Sequence, residues 1–341
     1  MKKIAIVTDS VLHGGVACVA LTLLDIFLKN NVDCVIYTVY DKSAVKDRTE
    51  IISNEKDKGY VSRLFEISHE LRNKKYTHVL ILTTGKLSVF LSPLLIGTKF
   101  KKFVCEHISF ESYSFALQFL KKVTYLVYRN IIVLTAHDHE LLKSERYNIQ
   151  CIHNPCPFRD DVSCKLENNK RYLAVGHLIP RKGYVRLLSI WAKYISKGGE
   201  GSLSIVGDGP LKNELMSIIR IQEIKNVILL GSINDMASIY KKHDVLLCSA
   251  HAEGLPMTFI EAQYFSLPII SYDIQTGPAE IIINDENGYL IKNNDETSFL
   301  ESMFLSEDNK TYERLARNSI NSAKQYSYDN IFDRWRELFN D

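Results

Sequence analysis

No stretch of this sequence reaches the ~18 uninterrupted apolar residues of a membrane-spanning helix, no Asp-x-Asp pair offers a metal two neighbouring carboxylates, and no Cys-x-x-Cys pair occurs. Each absence removes a class of protein. Cys18, Cys34, Cys105, Cys151, Cys156, Cys164 and Cys248 are scattered and odd in number, so they read as reduced, packed thiols rather than as a zinc site or a disulfide framework. Neither half opens on Gly-x-Gly-x-x-Gly, and the turn at Gly207 and Gly209 lacks the third glycine, which disfavours a NAD dehydrogenase. Excess charge is missing too. With 42 Lys and Arg against 40 Asp and Glu, the net +2 recruits no nucleic acid, and no nucleic-acid module accompanies it. The start, Met1-Lys2-Lys3-Ile4-Ala5-Ile6-Val7-Thr8-Asp9, meets an acidic residue too early for a secretory h-region, so a cytoplasmic protein is expected.

What is present is ordinary globular material. At roughly 150 residues per domain, 341 residues make about two domains. Short β-rich runs alternate with amphipathic stretches of helical length, the mark of parallel sheets built from βαβ units. The predicted strands are 3–8, 33–39, 78–83, 102–105 and 130–135 in the first half. In the second they are 171–175, 202–206, 226–230, 244–248, 268–271 and 288–291. Both halves open alike, Ile4-Ala5-Ile6-Val7 leading to Gly14-Gly15 and Tyr172-Leu173-Ala174-Val175-Gly176 to Lys182-Gly183. Two doubly wound α/β domains are expected, with the polar stretch from Asn154-Pro155 through Asp160 and Asp161 to Glu167-Asn168-Asn169-Lys170 as the linker. Ligands of open α/β sheets lie beyond the carboxyl ends of the strands, so an interdomain cleft is the expected site.

The richest segment is Cys248-Ser249-Ala250-His251-Ala252-Glu253-Gly254-Leu255-Pro256-Met257-Thr258-Phe259-Ile260-Glu261-Ala262. It follows an apolar strand and carries Pro256 at a plausible first helical position. A strand, a glycine turn and a helix N-terminus aim free backbone N–H groups at an anion. Carboxylates are poor phosphate ligands but good acceptors for the hydroxyls of a sugar flanking a phosphate. The plain alternative is that Glu253 caps the helix and Glu261 lies on a solvated face.

Glu253 and Glu261, seven residues apart, resemble the E-x7-E signature of retaining GT-B glycosyltransferases, family 4 in particular. The surroundings agree. Val175-Gly176-His177-Leu178-Ile179-Pro180-Arg181-Lys182-Gly183 is similar to that family's phosphate loop, and Ile205-Val206-Gly207-Asp208-Gly209-Pro210-Leu211 to its Gly-x-Gly-Pro turn. The segment 231–240, which includes Ile233, resembles the stretch before the next strand; Gly277-Pro278-Ala279-Glu280-Ile281 to Asn287-Gly288-Tyr289-Leu290 resembles the closing motif. In the first half Gly14-Gly15-Val16 is similar to the glycine loop below the donor and Glu106-His107 to the cleft histidine.

The resemblance implies a GT-B fold: an acceptor-side domain over 1–156 rejoined by a returning helix at 325–341, and a nucleotide-sugar domain over 157–324. It implies that Glu261 holds the ribose hydroxyls, that Glu253 with the Gly254 and Leu255 amides and Pro256 holds the donor sugar, and that Lys182 neutralises the diphosphate. His177 stands where the family usually has Arg, and imidazole is shorter and only partly charged near neutral pH. Arg181 substitutes for it or is a solvated surface residue. His107 contacts the donor sugar and orients the acceptor, or is a hydrogen-bonded core histidine. Gly14, Gly15, Gly209 and Ile233 complete the implied donor site.

The physical logic stands beside the resemblance. A departing nucleoside diphosphate develops charge that fixed cations and helix-end amides stabilise without a metal, so no metal or other cofactor is expected. His137-Asp138-His139-Glu140 looks metal-like, yet alternate residues on a helix point apart. Over 99–129, Lys99, Lys101, Lys102, Lys121, Lys122 and Arg129 interleave with Phe110, Tyr113, Phe115, Phe119, Leu120, Tyr125, Leu126 and Tyr128. Such a run lies on an anionic membrane surface or packs into the N-terminal core. In the tail, Phe332, Trp335 and Phe339 are spaced for helix packing.

The expected activity is therefore retaining transfer of a hexose-type sugar from a nucleotide diphosphate donor, UDP-sugar above others, to a hydroxyl of a glycan or lipid-linked glycan in surface polysaccharide synthesis. The alternatives are a nucleotide-sugar epimerase on the same scaffold and a catalytically silent sugar-nucleotide or membrane-surface binding protein.

Overall fold

The computed structural model describes residues 2–12, 14–40, 48–51, 59–159 and 162–340. The chain divides into two compact units, Met1–Pro157 with Tyr326–Asp341 and Phe158–Gln325. The first carries strands β1 (Lys3–Thr8), β2 (Asp33–Thr38), β3 (Thr49–Ile51), β4 (His78–Thr83), β5 (Lys101–Glu106), β6 (Arg129–Val133) and β7 (Asn148–Cys151). They form one sheet in the order β3-β2-β1-β4-β5-β6-β7. The second unit carries β8 (Arg171–Val175), β9 (Ser202–Val206), β10 (Val227–Gly231), β11 (Val245–Cys248), β12 (Ile269–Asp273) and β13 (Gly288–Lys292), in the order β10-β9-β8-β11-β12-β13. Every pairing is parallel.

Strands covered by helices on both faces must be apolar on both, and β4, with all six residues buried, shows the rule. In each unit the winding reverses once, between β1 and β4 and between β8 and β11. A reversal leaves a crevice at the carboxyl edge, because the two crossover helices depart to opposite faces of the sheet. Four predicted strands, at 3–8, 78–83, 171–175 and 202–206, match the observed bounds residue for residue. The two strands that were not expected, β3 and β7, are the edges of the first sheet.

The stretch expected as the linker contains the boundary between the two units, and its residues are hydrogen-bonded. Asn154 and Cys156 are buried, and the Cys156 N–H donates to the Tyr326 carbonyl at 2.8 Å. Further on, Asn168 Nδ2 donates to the Ser306 carbonyl at 2.6 Å, and Lys165 pairs with the buried Asp244 at 3.2 Å. Asp160 and Asp161 lie outside the described residues. Among the described residues no two cysteines are joined by a disulfide.

Helix Tyr328–Asn340 packs on the first sheet. Phe339 lies 5.6 Å from Phe27, 6.1 Å from Phe103 and 4.8 Å from His78, while Trp335 meets Phe27 edge-on at 6.2 Å. Trp335 and Phe339 are core residues, as their spacing predicts, whereas Phe332 is half-buried.

Helix Phe115–Tyr128 divides the basic, aromatic run between both readings. Lys121, Thr124, Tyr125 and Tyr128 face inward, as do Phe110 and Tyr113 just before the helix, so these residues leave the expected membrane surface. The buried Glu106 carboxylate accepts from Lys121 Nζ at 2.8 and 2.7 Å and from the Tyr113 and Tyr125 hydroxyls, each at 3.0 Å. Lys121 also donates to Ser88 Oγ at 3.1 Å. Burial pulls the Lys121 ammonium down from its ordinary pKa, against the opposing pull of Glu106. The outer arc is apolar: Phe115 is 88% and Phe119 64% exposed, with Leu120, Val123 and Leu126 beside them.

Candidate functional site

The glycine loops of the second unit meet at its switch point. Beyond β8 the chain turns through Gly176, forms a single helical turn at Pro180–Lys182 and enters helix Tyr184–Ser196 through Gly183. Gly183 has φ 68°, and a Cβ there would stand 2.0 Å from the Ser249 carbonyl oxygen, so only glycine lets this loop touch the one beyond β11. The contact is then bonded on both sides. Ser249 Oγ donates to the Gly183 carbonyl at 2.9 Å, and the His251 N–H to the Arg181 carbonyl at 2.7 Å.

This contact brings Lys182 and Glu253 together. Lys182 Nζ forms an ion pair with Glu253 Oε1, both side chains largely withdrawn from solvent. The Glu253 carbonyl accepts from Thr276 Oγ1 at 2.6 Å, fixing the turn from behind. Gly254 and the buried Leu255 follow, and Pro256 is the N-cap of helix Met257–Tyr264, one place before the first helical position expected for it. Glu261 lies in that helix, where Tyr240 OH donates to its Oε2 at 2.7 Å. Burial raises the Glu261 carboxyl to about 7, the tyrosine hydrogen bond opposing the shift.

The remaining candidates of this unit are placed less tightly. Arg181 is exposed, its Nη1 3.4 Å from the Ala252 carbonyl. His177 is exposed as well, with Nδ1 hydrogen-bonded to the Asp208 carbonyl. Gly209, in the same turn as Asp208, lies so close to the loop beyond β8 that a Cβ would stand 2.6 Å from the Leu178 carbonyl oxygen. Ile233 is half-buried in the loop after β10.

Arg186 belongs with these residues and was not expected. Its guanidinium donates to the Ser249 and Ala250 carbonyls, reaches Asn293 and Asn294 Oδ1 at 3.1 and 3.0 Å, and lies 4.2 Å over the Tyr272 ring. It holds the Glu253 loop from below. An arginine near the start of an amphipathic helix reads from sequence as a solvated charge, and nothing in its spacing tells it from one.

In the first unit Gly14 is the N-cap of helix Gly15–Lys29, and both glycines line the crevice at the β1/β4 switch point with Thr8, Asp9, Ser10 and Thr84. His107 follows β5, its N–H donating to the Thr83 carbonyl at 3.0 Å. It lines a separate small cavity with Cys105, His153, Asn154 and Trp335. Its Nε2 is buried without a hydrogen-bond partner among the described residues. Burial lowers its pKa to about 4, which keeps the ring neutral near pH 7.

The metal-like run resolves into structural roles. Asp138 is buried and accepts from Ser109 Oγ, the Phe110 N–H and Thr135 Oγ1 at 3.1, 3.0 and 2.9 Å. His137 pairs instead with Glu111 at 2.9 Å, and His139 with Glu140 at 3.2 Å. Among the described residues no group of three or more His, Cys, Asp or Glu side chains converges for a metal, and no helix is long and apolar enough to cross a membrane.

Two doubly wound parallel units, each with a glycine loop at its switch point, are the architecture of the GT-B glycosyltransferases. Anabaena HepE, solved with UDP and glucose, superposes with a TM-score of 0.78 over 100% of both chains at 18% identity. The family model for glycosyl transferases group 1 matches residues 159–322. The chain is 31% identical to the amylovoran biosynthesis glycosyltransferase AmsD of Erwinia amylovora, over 100% of both proteins. It is 25% identical, over 99% of this chain and 98% of the relative, to a Campylobacter jejuni α-1,4-N-acetyl-D-galactosaminyltransferase whose named acceptor is a diNAcBac-PP-undecaprenol-linked glycan. The chain belongs to the glycosyl transferases group 1 family.

Proposed function

We propose that this chain is a retaining glycosyltransferase that moves a hexose-type sugar from a UDP-sugar to a hydroxyl of a glycan or lipid-linked glycan in bacterial surface polysaccharide synthesis. The observation that carries the reading is the Lys182–Glu253 pair at the β8/β11 switch point. A cation beside a carboxylate at the mouth of two glycine loops matches a sugar diphosphate in both its parts. Lys182, with Arg181 and His177 at the rim, takes the phosphates; Glu253 and the Gly254 and Leu255 amides take the sugar hydroxyls, Pro256 setting the turn. Glu261 takes the ribose, and Gly209 and Ile233 border the nucleotide. The names of the Erwinia and Campylobacter relatives support the polymer and the lipid-linked acceptor, and the UDP and glucose in HepE support the donor.

The leaving diphosphate is the group whose charge grows in the transition state, and a fixed lysine with helix-end amides stabilises it without a metal. Retention follows from front-face chemistry, the leaving phosphate oxygen taking the proton of the acceptor hydroxyl as the new bond forms on the same side. His107, neutral near pH 7, lies by the acceptor as a hydrogen-bonding group. The test is nucleotide release from a panel of UDP- and GDP-sugars without added metal, with Glu253→Ala and Lys182→Ala alongside. Slow hydrolysis of one donor, abolished by both substitutions, supports the reading. Interconversion of a UDP-sugar with no acceptor would make the protein an epimerase, and UDP binding without turnover, even with a lipid-linked glycan supplied, a silent binder.

Glu261 gives this reading a pH signature. Ribose hydroxyls donate to a carboxylate and favour its ionised form, so binding displaces a proton from a group that titrates near 7 when unliganded. The affinity for a UDP-hexose, whose diphosphate stays ionised throughout, is expected to be about tenfold weaker at pH 6 than at pH 8. Calorimetry across that range should show the dependence flattened in Glu261→Gln.

A lipid-linked acceptor brings the enzyme to the inner face of the cell membrane, and the outer arc of helix Phe115–Tyr128 is the surface proposed to rest there. Its exposed Phe115, Phe119, Leu120, Val123 and Leu126 are flanked by exposed Lys122 and Arg129, and from Tyr113 to His137 the chain holds no carboxylate. An apolar arc bordered by cations fits an anionic bilayer. The double variant Phe119→Ser, Val123→Ser is expected to lower partition onto phosphatidylglycerol-containing vesicles about tenfold or more. A concentration-dependent dimer abolished by the same pair would make the arc a contact between two copies instead.

A further inference from the structure

Arg186 spans the carboxyl edge of four neighbouring strands. It lies in the first turn of helix Tyr184–Ser196, which follows β8. Its guanidinium meets the chain just beyond β11 at Ser249 and Ala250, the Tyr272 ring near the end of β12, and Asn293 and Asn294 just beyond β13. β8, β11, β12 and β13 are adjacent in the sheet. Gly183 leaves the guanidinium its room, since a Cβ there would stand 3.1 Å from Arg186 Nε.

The partners are unusual for an arginine. All four acceptors are uncharged oxygens, two backbone carbonyls and two asparagine amides, and among the described residues no carboxylate is ion-paired with it. A planar fork of five donors set against fixed acceptors selects geometry rather than charge. The geometry here is that of the Glu253 turn. Successive carbonyls of an extended chain point to opposite sides. The Ser249 and Ala250 carbonyls both bond this one guanidinium, so the alternation of β11, which ends at Cys248, is broken at this point. Glu253 stands three residues beyond Ala250. The far side of the turn is fixed separately, by Thr276 Oγ1 on the Glu253 carbonyl and by Gly277, where a Cβ would stand 2.0 Å from the Gly254 carbonyl oxygen. Arg186 is the clamp on the near side.

We propose that Arg186 is a positioning residue for transfer: by holding the Ser249 and Ala250 carbonyls against the ends of β12 and β13, it sets where the Glu253 carboxylate and the Gly254 and Leu255 amides stand. The inference rests on the glycosyl-transfer reading for what those groups hold, but not for the clamp itself. Arg186 acts through the turn rather than on the donor.

The test compares Arg186→Met, which keeps the stem, with Arg186→Lys, which keeps the charge as a point too compact to reach both carbonyls and both asparagines. Hydrogen exchange on the full chain without ligand reads the clamp directly. The His251 N–H, bonded to the Arg181 carbonyl within this turn, should exchange about tenfold faster in both variants. The Leu246 N–H inside β11, bonded to the Pro268 carbonyl at 3.0 Å, should stay within about twofold of the parent. Donor turnover is then measured with the UDP conjugates of glucose, galactose, N-acetylglucosamine and N-acetylgalactosamine. For the donor that the parent hydrolyses, kcat should fall about tenfold to a hundredfold in both variants, with UDP affinity within about twofold, since UDP carries no sugar for Glu253 to hold. The proposal is overturned if exchange at His251 is unchanged, or if it rises equally at Leu246, the arginine then stabilising the unit alone. It is overturned as well if Arg186→Lys works at the parent rate, or if UDP affinity falls along with kcat, which would make Arg186 a ligand of the diphosphate. Faster exchange confined to His251, in a protein whose parent form hydrolyses none of these donors, would uphold the clamp and count against the glycosyl-transfer reading alone.

Discussion

Lys182→Ala is expected to lower kcat for donor turnover by about a hundredfold to a thousandfold, the loss seen when a preorganised charge-stabilising group is removed from a developing anion. The effect should fall on kcat more than on KM, because the charge that Lys182 meets grows as the sugar–phosphate bond breaks. A raised KM with kcat unchanged would show that the lysine only binds the ground state. The variant has a second consequence, since Glu253 is largely buried and Lys182 is its ion-pair partner. Lys182→Arg keeps a charge there, and Lys182→Met with Glu253→Gln removes both. If kcat tracks the cation, the arginine variant retains the larger share of activity. If it tracks the placement of Glu253, the arginine variant, which cannot hold the carboxylate where lysine does, falls as far as Lys182→Ala.

The largest effect on stability is expected at Lys121. Its ammonium and the Glu106 carboxylate are both withdrawn from water, and each is the other's ion-pair partner. Lys121→Met leaves a buried carboxylate held by two tyrosine hydroxyls, and unpaired charges of this kind cost about 3–5 kcal/mol. Glu106→Gln should cost a comparable amount, while the double variant should recover much of either loss because no orphaned charge remains. Urea unfolding of the three variants measures the cycle. Equal and additive losses would mean that the pair contributes packing alone.

The same lysine shows where the sequence is legible and where it is not. Four inner strands, β1, β4, β8 and β9, were readable to the residue, because helices on both faces demand the unbroken apolar runs seen in β1, β4 and β8. The edge strands β3 and β7 are bonded on one side only, and β7, Asn148-Ile149-Gln150-Cys151, has no fully buried residue to mark it. Lys121 was counted with the surface cations because charge is normally solvated. Yet it shares a helical stripe with Tyr125 and Tyr128, four and seven positions on, and that register held the available signal. In the second unit, Glu253 and Lys182 were both marked, but their ion pair depends on a loop-to-loop contact that no local pattern encodes. Arg186 was missed for the same reason, since its partners are carbonyls and asparagines from other segments.

The division of the chain has a consequence for the order in which the protein is made. The second unit, Phe158–Gln325, is an uninterrupted stretch of sequence and can assemble as soon as it leaves the ribosome. The first is begun earlier but finished later. Phe27, His78 and Phe103 are synthesised long before Trp335 and Phe339 arrive to cover them. During that interval the first unit presents an apolar, aromatic face to the cell, and its sheet is closed by a helix that is translated only after the whole of the second unit.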